Sequence, residues 1–400
     1  MFAFEEAVLG LCDNLPTTLS DNDDDRSSTS TLASNTMTAH SKSHDYTMPI
    51  DQKYIASVVD ESYRKIGSDD FDRLCVLGRG AFGKVYLVQH HSSRSLYAMK
   101  VLKKASLRLH VNHIKTEREI LEQVHHPFIV QLYYAFQTSD ELHMILEYAM
   151  GGELFRYLDQ AGTFTESMAA FYAAELVLAL SHLHSLGIIY RDLKPENCLL
   201  DRSGHILLTD FGLSKTSLDG KTNTICGTVE YMAPEVLAGL KYDYTVDWWS
   251  LGILIYDMLT GSPPFKGEER DETMHFIMSK NVIMPYYFSA EAKDLVAKLL
   301  RKNPHLRLGA RRKDMKTILN HGFFREMDWA ALLDRRVDPP IVPIITNPAA
   351  AENFDSMFTS EPITAADDLS TEIQQQQQSS FALHHHFRNF SYVADISVYS

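Results

Sequence analysis

Two periodicities divide this chain. From Phe71 the apolar residues come in short β-branched runs, "RLCVLG", "KVYLVQH" and "LYAMKVL", separated by Gly, His and Ser turn signals. From about Phe155 they recur at helical spacing through long stretches such as "ESMAAFYAAELVLALSHLHSLG" and "EAKDLVAKLLRKN". A strand pattern does not settle as helix, nor a helical pattern as strand. The expected fold class is therefore α+β and bilobal: a small lobe built on an antiparallel meander, then a larger helical lobe.

With 400 residues and 45% hydrophobic composition, the chain can bury a large core. Its flanks are different. Residues 13–45, "DNLPTTLSDNDDDRSSTSTLASNTMTAHSKSHD", lack any hydrophobic period, so an acidic, Ser/Thr-rich disordered region is expected over 1–45, with a lead-in at 46–70. Residues 1–45 hold eight acids and two bases, and residues 349–400 hold seven and one. That leaves 37 acids against 35 bases between them, out of a net charge of −14, and no basic face that would suit nucleic acid. The four cysteines, Cys12, Cys75, Cys198 and Cys226, form no C-x-x-C pair, which suits a reducing compartment and argues against a disulfide framework or a zinc site. Glu5 and Glu6 stand where a signal peptide would carry bases, and no apolar run is long enough to span a membrane.

Chemistry concentrates in three places. "GRGAFGKV" sets Gly78, Gly80 and Gly83 in G-x-G-x-x-G spacing, and by itself this is as consistent with a plain turn as with a phosphate site. A dinucleotide fold would need a helix next, whereas "KVYLVQ" reads as a strand, so the glycines sit in a hairpin whose N–H groups can approach phosphates. Lys100, on the following strand, needs an anionic partner if buried. Glu117, in the helical stretch "VNHIKTEREILEQV", can supply one beside the phosphates. A snorkelling lysine and a solvated glutamate are the ordinary alternative for any single pair. The third place is "YRDLKPENCLLDRSGHILLTDFG", where Asp192, Lys194, Asn197 and Asp210 bring two carboxylates, an amide and an ammonium into one loop-and-turn region. Phosphoryl transfer calls for that set: oxygen ligands for Mg²⁺, a positive charge near the moving group, and a carboxylate for the attacking hydroxyl.

With "APE" at Ala233, Pro234 and Glu235 following in order, the chain resembles a protein kinase. Tyr190, where most kinases have histidine, is typical of the AGC serine/threonine kinases. "TICGTVEYMAPE", "VDWWSLGILIYDMLTGSPPF" and "ENFDSMF" resemble that class's activation segment, helical lobe and C-terminal extension, and "CGTVEYMAPE", "YDMLTGSPPF" and "FSYVA" are most similar to the ribosomal protein S-six kinases and their fungal relatives. The resemblance implies a kinase domain over 71–324 and an AGC C-terminal domain over 325–400. It implies that Asp192 orients the substrate hydroxyl, that Lys194 stabilises the γ-phosphoryl, and that Asn197 and Asp210 hold Mg²⁺. ATP would lie among Leu77, Gly78, Arg79, Gly80, Ala81, Phe82, Gly83, Lys84, Val85, Ala98 and Lys100, with Glu147 and Ala149 at the hinge, Leu146 as gatekeeper and Leu199 beneath the adenine. Glu153, Glu196, Glu230 and Asp257 match positions that present carboxylates to arginines upstream of the phosphorylated residue, so basic Arg-x-Arg-x-x-Ser/Thr substrates are implied.

The same resemblance places regulatory phosphorylation by upstream kinases at Thr224, facing Arg191, Lys215 and His113, and at Ser391 in the terminal "FRNFSY". The relatives carry a Ser/Thr-Pro site in the tail, whereas here Thr364 is followed by alanine. Phe387, Phe390 and Tyr392 are expected to form a tethered ligand for the chain's own small lobe, with the polyglutamine stretch as spacer. A monomer in cytoplasm and nucleus, acting in growth and nutrient signalling, completes the expectation. The competing classes are a pseudokinase scaffold, which would lack one of Lys100, Asp192, Asn197 or Asp210, and a small-molecule phosphotransferase, which would lack "APE" and the aromatic tail.

Overall fold

The computed structural model describes residues 66–80, 83–107, 110–216, 222, 227–311, 315–363 and 387–394. Ala81, Phe82, Thr224, Thr364, Cys12, Cys226 and the region up to residue 65 lie outside the described residues. The β-branched runs fold as strands β1 (Phe71–Gly80), β2 (Gly83–His90) and β3 (Leu96–Lys103), followed by helix α1 (Val111–Gln123) and strands β4 (Leu132–Gln137) and β5 (Glu141–Leu146). The sheet order is β1-β2-β3-β5-β4, and every neighbouring pair is antiparallel. Helix α1 buries Ile114, Glu117, Ile120 and Leu121, a single stripe with one carboxylate in it.

The sheet has a sixth strand that sequence periodicity does not show. Residues Tyr392–Val393 (β11) pair antiparallel with β4, placing Tyr392 opposite Ala135 and Val393 opposite Tyr134. Ala394 N–H donates to the Tyr133 carbonyl at 2.8 Å, and Gln137 Nε2 donates to the Phe387 carbonyl at 2.8 Å. Phe387 and Phe390 are buried in the cluster that contains Leu107, Ile114 and Leu121, their rings edge-on at 6.1 Å. Tail docking on the small lobe is thus a feature of the fold, and the edge of the sheet is covered by the chain's own end.

The large lobe begins with β6 (Gly152–Glu153) and α2 (Leu154–Ala161), then the long α3 (Glu166–Ser185), capped by Thr165, whose hydroxyl accepts the Met168 N–H. Strands β7 (Ile188–Ile189), β8 (Cys198–Leu200), β9 (Ile206–Leu208) and β10 (Lys215–Thr216) form two small sheets, β6-β8-β9 and β10-β7. Helices α4 (Pro234–Leu237), α5 (Thr245–Thr260), α6 (Arg270–Ser279) and α7 (Ala290–Leu299) follow. Apolar residues face inward all round α3 and α5, which is why neither reads as amphipathic: both are core helices. Helix α8 (Met315–Leu319) precedes Phe324 and helix α9 (Trp329–Leu333) follows it. Beyond it Pro339, Pro340 and Pro343 keep the chain extended, until α10 (Ser356–Thr359) packs against β1.

Candidate active site

The cleft is built from the small lobe downward. Across the β2–β3 ladder Val85 lies directly opposite Lys100, and Ala98 lies two residues along, so all three share one face of the sheet. Leu77, Val85 and Ala98 join one apolar cluster with Tyr148, and Phe354 from the C-terminal extension stacks on Tyr148 at 5.8 Å. Leu199, on β8 in the other lobe, is half-buried, and Leu146, Glu147 and Ala149 form the connection between lobes, with Glu147 N–H donating to the Gln131 carbonyl. In the glycine hairpin, Arg79 pairs with Lys84 and Gly80 with Gly83. A Cβ on Gly83 would lie 1.8 Å from the Val101 carbonyl oxygen, so packing demands glycine there. Gly78 and Gly80 face open space instead, where a Cβ would meet nothing of the protein. Their bareness leaves room for a ligand's phosphates to approach the backbone.

Lys100 Nζ donates to Glu117 Oε1 at 2.6 Å and to Asp210 Oδ1 at 3.2 Å, so one ammonium joins α1 in the small lobe to the turn after β9 in the large one. Burial alone would push that ammonium down, but Asp210 and Glu117 together outweigh it and hold it raised. The two carboxylates differ. Lys100 holds Asp210 below the usual range, whereas burial holds Glu117 above it, against the pull of Lys100. Glu117 Oε2 is buried without a hydrogen-bond partner.

Asp192 sits on a loop that Asp247 fastens from below. Asp247 accepts the backbone N–H groups of Tyr190 at 3.0 Å and Arg191 at 2.8 Å, and bonds His184 Nε2 at 2.7 Å. Held this way, Arg191 takes φ 69°, and Asp210 takes φ 56°, both left-handed conformations that cost a non-glycine residue energy. The Tyr190 ring is fully buried beneath the loop, its hydroxyl donating to the Thr209 carbonyl. Lys194 Nζ and Asn197 Nδ2 each donate to Asp192 Oδ2 at 2.9 Å, while Asp192 Oδ1 has no partner. Burial raises the Asp192 carboxyl, with Lys194 and Asn197 pulling it down. Cys198 is buried and its thiol is pushed up by that burial, the state of an inert packing residue.

The residues singled out for substrate charge are not alike. Glu153 and Glu196 are exposed on neighbouring elements, and the Glu153 carboxyl is raised by burial, then by Glu196, Asp159 and Asp355. Glu230 is half-buried and lines a cavity of about 360 Å³ together with Glu268 and Glu269. Asp257 departs from the expectation of a presented carboxylate: it is buried and accepts the Tyr231 hydroxyl at 2.6 Å, because α5 points it into the lobe beneath the segment holding Glu230. Of the basic residues expected around Thr224, Arg191 Nε donates to the Leu213 carbonyl at 2.7 Å and Lys215 Nζ to Thr222 Oγ1 at 3.1 Å. Burial lowers the His113 pKa, with His110 and then Arg191 adding to the effect. Ser391 is exposed beside β11.

Sequence reasoning passed over three contributors: Asp247, Gln137 and Glu361. Asp247 stands in "TVDWW" and touches the loop only through the fold, and no local pattern marks it. Gln137 is positioned by Lys104, whose buried ammonium donates to its Oε1 at 2.9 Å.

The arrangement matches known families. Residues 71–324 match the protein kinase domain and residues 345–392 the protein kinase C terminal domain. The chain belongs to the protein kinase family and, within it, to the AGC class. Human ribosomal protein S6 kinase alpha-3 is 48% identical over 342 residues, covering 84% of this chain and 45% of that protein. Mouse ribosomal protein S6 kinase alpha-2 is 46% identical over 346 residues, 85% of this chain and 46% of the relative, and Caenorhabditis elegans ribosomal protein S6 kinase beta is 45% identical over 349 residues, 85% and 62%. The chain spans about half the length of the first two.

Proposed function

We propose that this chain is a serine/threonine protein kinase that transfers the γ-phosphoryl group of ATP to Ser or Thr in basic Arg-x-Arg-x-x-Ser/Thr sequences. The observation that carries the reading is the Lys100 ammonium held between Glu117 and Asp210, which fixes the two lobes in register around a site with unmet polar atoms. The donor set fits a nucleotide with its metal: bare glycine backbone at Gly78 and Gly80, a cation at Lys100, and hard oxygen ligands on Asp210 and Asn197. ATP with Mg²⁺, when bound, supplies the phosphoryl group and neutralises its charge. Leu77, Arg79, Lys84, Val85, Ala98, Glu147, Ala149 and Leu199 surround the nucleotide in this reading. Asp192 Oδ1, buried and unpartnered, takes the hydrogen bond of the attacking hydroxyl, and Lys194 steadies the negative charge that develops.

Glu153 and Glu196 attract the upstream arginines, with Glu230 and the buried, Tyr231-bonded Asp257 behind them. Phosphorylation of Thr224 and Ser391 by upstream kinases, and of Thr364 as a weaker match, tunes activity through the Arg191 region and the docked tail. Cytoplasmic and nuclear residence, a monomeric state and a place in growth and nutrient signalling belong to the same proposal, supported by likeness to ribosomal protein S6 kinases. The test is phosphate transfer to a peptide library with Mg²⁺-ATP. Preference for arginine upstream of Ser or Thr is expected, weakened by Glu153→Arg. An unaltered arginine preference in that variant would remove the specificity assignment, and absence of transfer by the activated chain would remove the activity.

A further inference from the structure

Arg79 and Lys84 face each other as direct cross-strand partners at the base of the glycine turn. Like charges opposed across a ladder repel. An anion is supplied from 282 positions away: Glu361 Oε2 accepts Arg79 Nη2 at 2.8 Å and Nε at 3.2 Å, with Lys84 Nζ at 3.6 Å. Glu361 follows α10, the helix packed on β1, so its position is fixed by the C-terminal extension and not by the hairpin it grips. One carboxylate oxygen therefore bridges both arms of the hairpin immediately below its turn. The hairpin has few side-chain restraints of its own there, since a Cβ at Gly78 or Gly80 would meet nothing of the protein and the β1–β2 register slips between Val76 and Gly78.

We propose that Glu361 is a positioning residue for nucleotide binding, a strap by which the C-terminal extension holds the glycine hairpin down over the phosphates. The inference rests on the reading that this hairpin covers ATP. Because the pair is partly exposed, with Arg79 53% accessible, it contributes little to global stability. Its effect falls on the position of a locally weak element, and so on the nucleotide. Arg79 and Lys84 remain close enough to the turn to meet phosphate oxygens themselves; Glu361 limits how far they can swing.

The experiment uses the full chain, activated in the same way for each variant, with a fluorescent ATP analogue for affinity and release rate and a peptide substrate for kinetics. Glu361→Gln keeps the shape and removes the charge. It should raise Kd for the analogue and KM for ATP about three- to tenfold through faster release, with kcat and peptide KM within about twofold and Tm unchanged. Arg79→Gln should lose at least as much nucleotide affinity, since it also removes a cation beside the phosphates, and adding Glu361→Gln to it should cost little more, because the main contact of that carboxylate is already gone. Unchanged nucleotide affinity in Glu361→Gln, or losses that add fully in the double variant, would overturn the proposal. If the parent itself bound no nucleotide, the ATP reading would fail first and take this inference with it.

Discussion

Two ion pairs of equal length sit in this chain in different states. In the helical lobe Arg307 Nη1 meets Glu235 Oε1 at 2.6 Å and Nη2 meets Oε2 at 2.9 Å; Arg307 also donates to the carbonyls of Thr245 and Arg301, so every charged oxygen is matched. In the cleft Lys100 meets Glu117 at 2.6 Å, yet Glu117 Oε2 is left without a partner and nearby Asp192 Oδ1 is too. Native interiors satisfy buried polar atoms, so unpaired carboxylate oxygens mark a place kept ready for something else. Orphan atoms alone do not discriminate. His143 also has no hydrogen bond at either ring nitrogen, with Glu141 Oε2 no nearer than 3.5 Å, but burial lowers its pKa to about 4, and a neutral ring stacked on Phe136 tolerates that neglect better than a carboxylate does. The satisfied pair serves the fold, and in the proposed function the unsatisfied one serves the nucleotide site.

The sharpest way to break the contrast is to remove one charge from each region and compare rate with stability. Asp192→Asn is expected to lower kcat about 10²- to 10⁴-fold. Its Tm should be unchanged or slightly raised: burial has lifted the Asp192 pKa, so the ionised group is disfavoured in the folded state relative to the unfolded one at neutral pH. Glu235→Gln should do the reverse. It leaves the Arg307 guanidinium buried without its counter-ion, at a cost of about 3–5 kcal/mol, read as a large fall in Tm, while protein folded at low temperature retains most of its kcat. Equal thermal losses in the two variants would erase the distinction.

How far the sequence could be read follows the same divide. The two lobes were legible because strand and helix periods differ, and the family was legible because the chemistry is packed into short strings such as "YRDLKPEN" and "DFG". Lys100 and Glu117 were legible as a possible pair because a buried ammonium needs an anion and the following helical stretch offers one, though only the fold shows that Glu117 lies on its buried stripe. Contacts made by the fold alone were not. Asp247 beneath the loop and Glu361 on the hairpin lie 56 and 282 positions from their partners, with nothing local to announce them. Asp257 was read as a presented carboxylate from the family resemblance alone, whereas here the Tyr231 hydroxyl satisfies it in a buried position. The aromatic tail was read correctly as a ligand for the small lobe, but a two-residue strand has no period, so its pairing with β4 was invisible.

The tail offers a contact intermediate between the two pairs, apolar and removable. Phe387→Ala and Phe390→Ala should each destabilise the small lobe, by at most about 1.5–3 kcal/mol, the burial energy of one ring. The docked end can let go without unfolding what it covers. Thermal shift should therefore fall less than for Glu235→Gln, and activity should fall with it, since the same cluster contains Ile114 and Leu121 of the helix that carries Glu117. Full activity in the double alanine variant would separate docking from catalysis.

The smallest effect is the one that tests the contrast inside the cleft itself. Two carboxylates there are shifted in opposite directions: burial raises Asp192, and Lys100 lowers Asp210. As pH falls, Asp192 is protonated before Asp210, at a pH above the usual aspartate value, and the hydroxyl loses its acceptor, so activity declines there. Protonation of Asp192 does not weaken the fold, because a carboxyl whose folded pKa is raised is easier to protonate in the native state than in the unfolded chain. Asp210 behaves in the opposite sense. Its contribution to stability is present above the unfolded pKa and is lost only as pH falls through the lowered folded value. Activity and stability should thus part company on acid titration, the acid limb of kcat/KM lying at higher pH than the onset of unfolding followed by circular dichroism. Coincident curves would mean that the acid limb reports loss of the fold and that Asp192 is not the group being titrated.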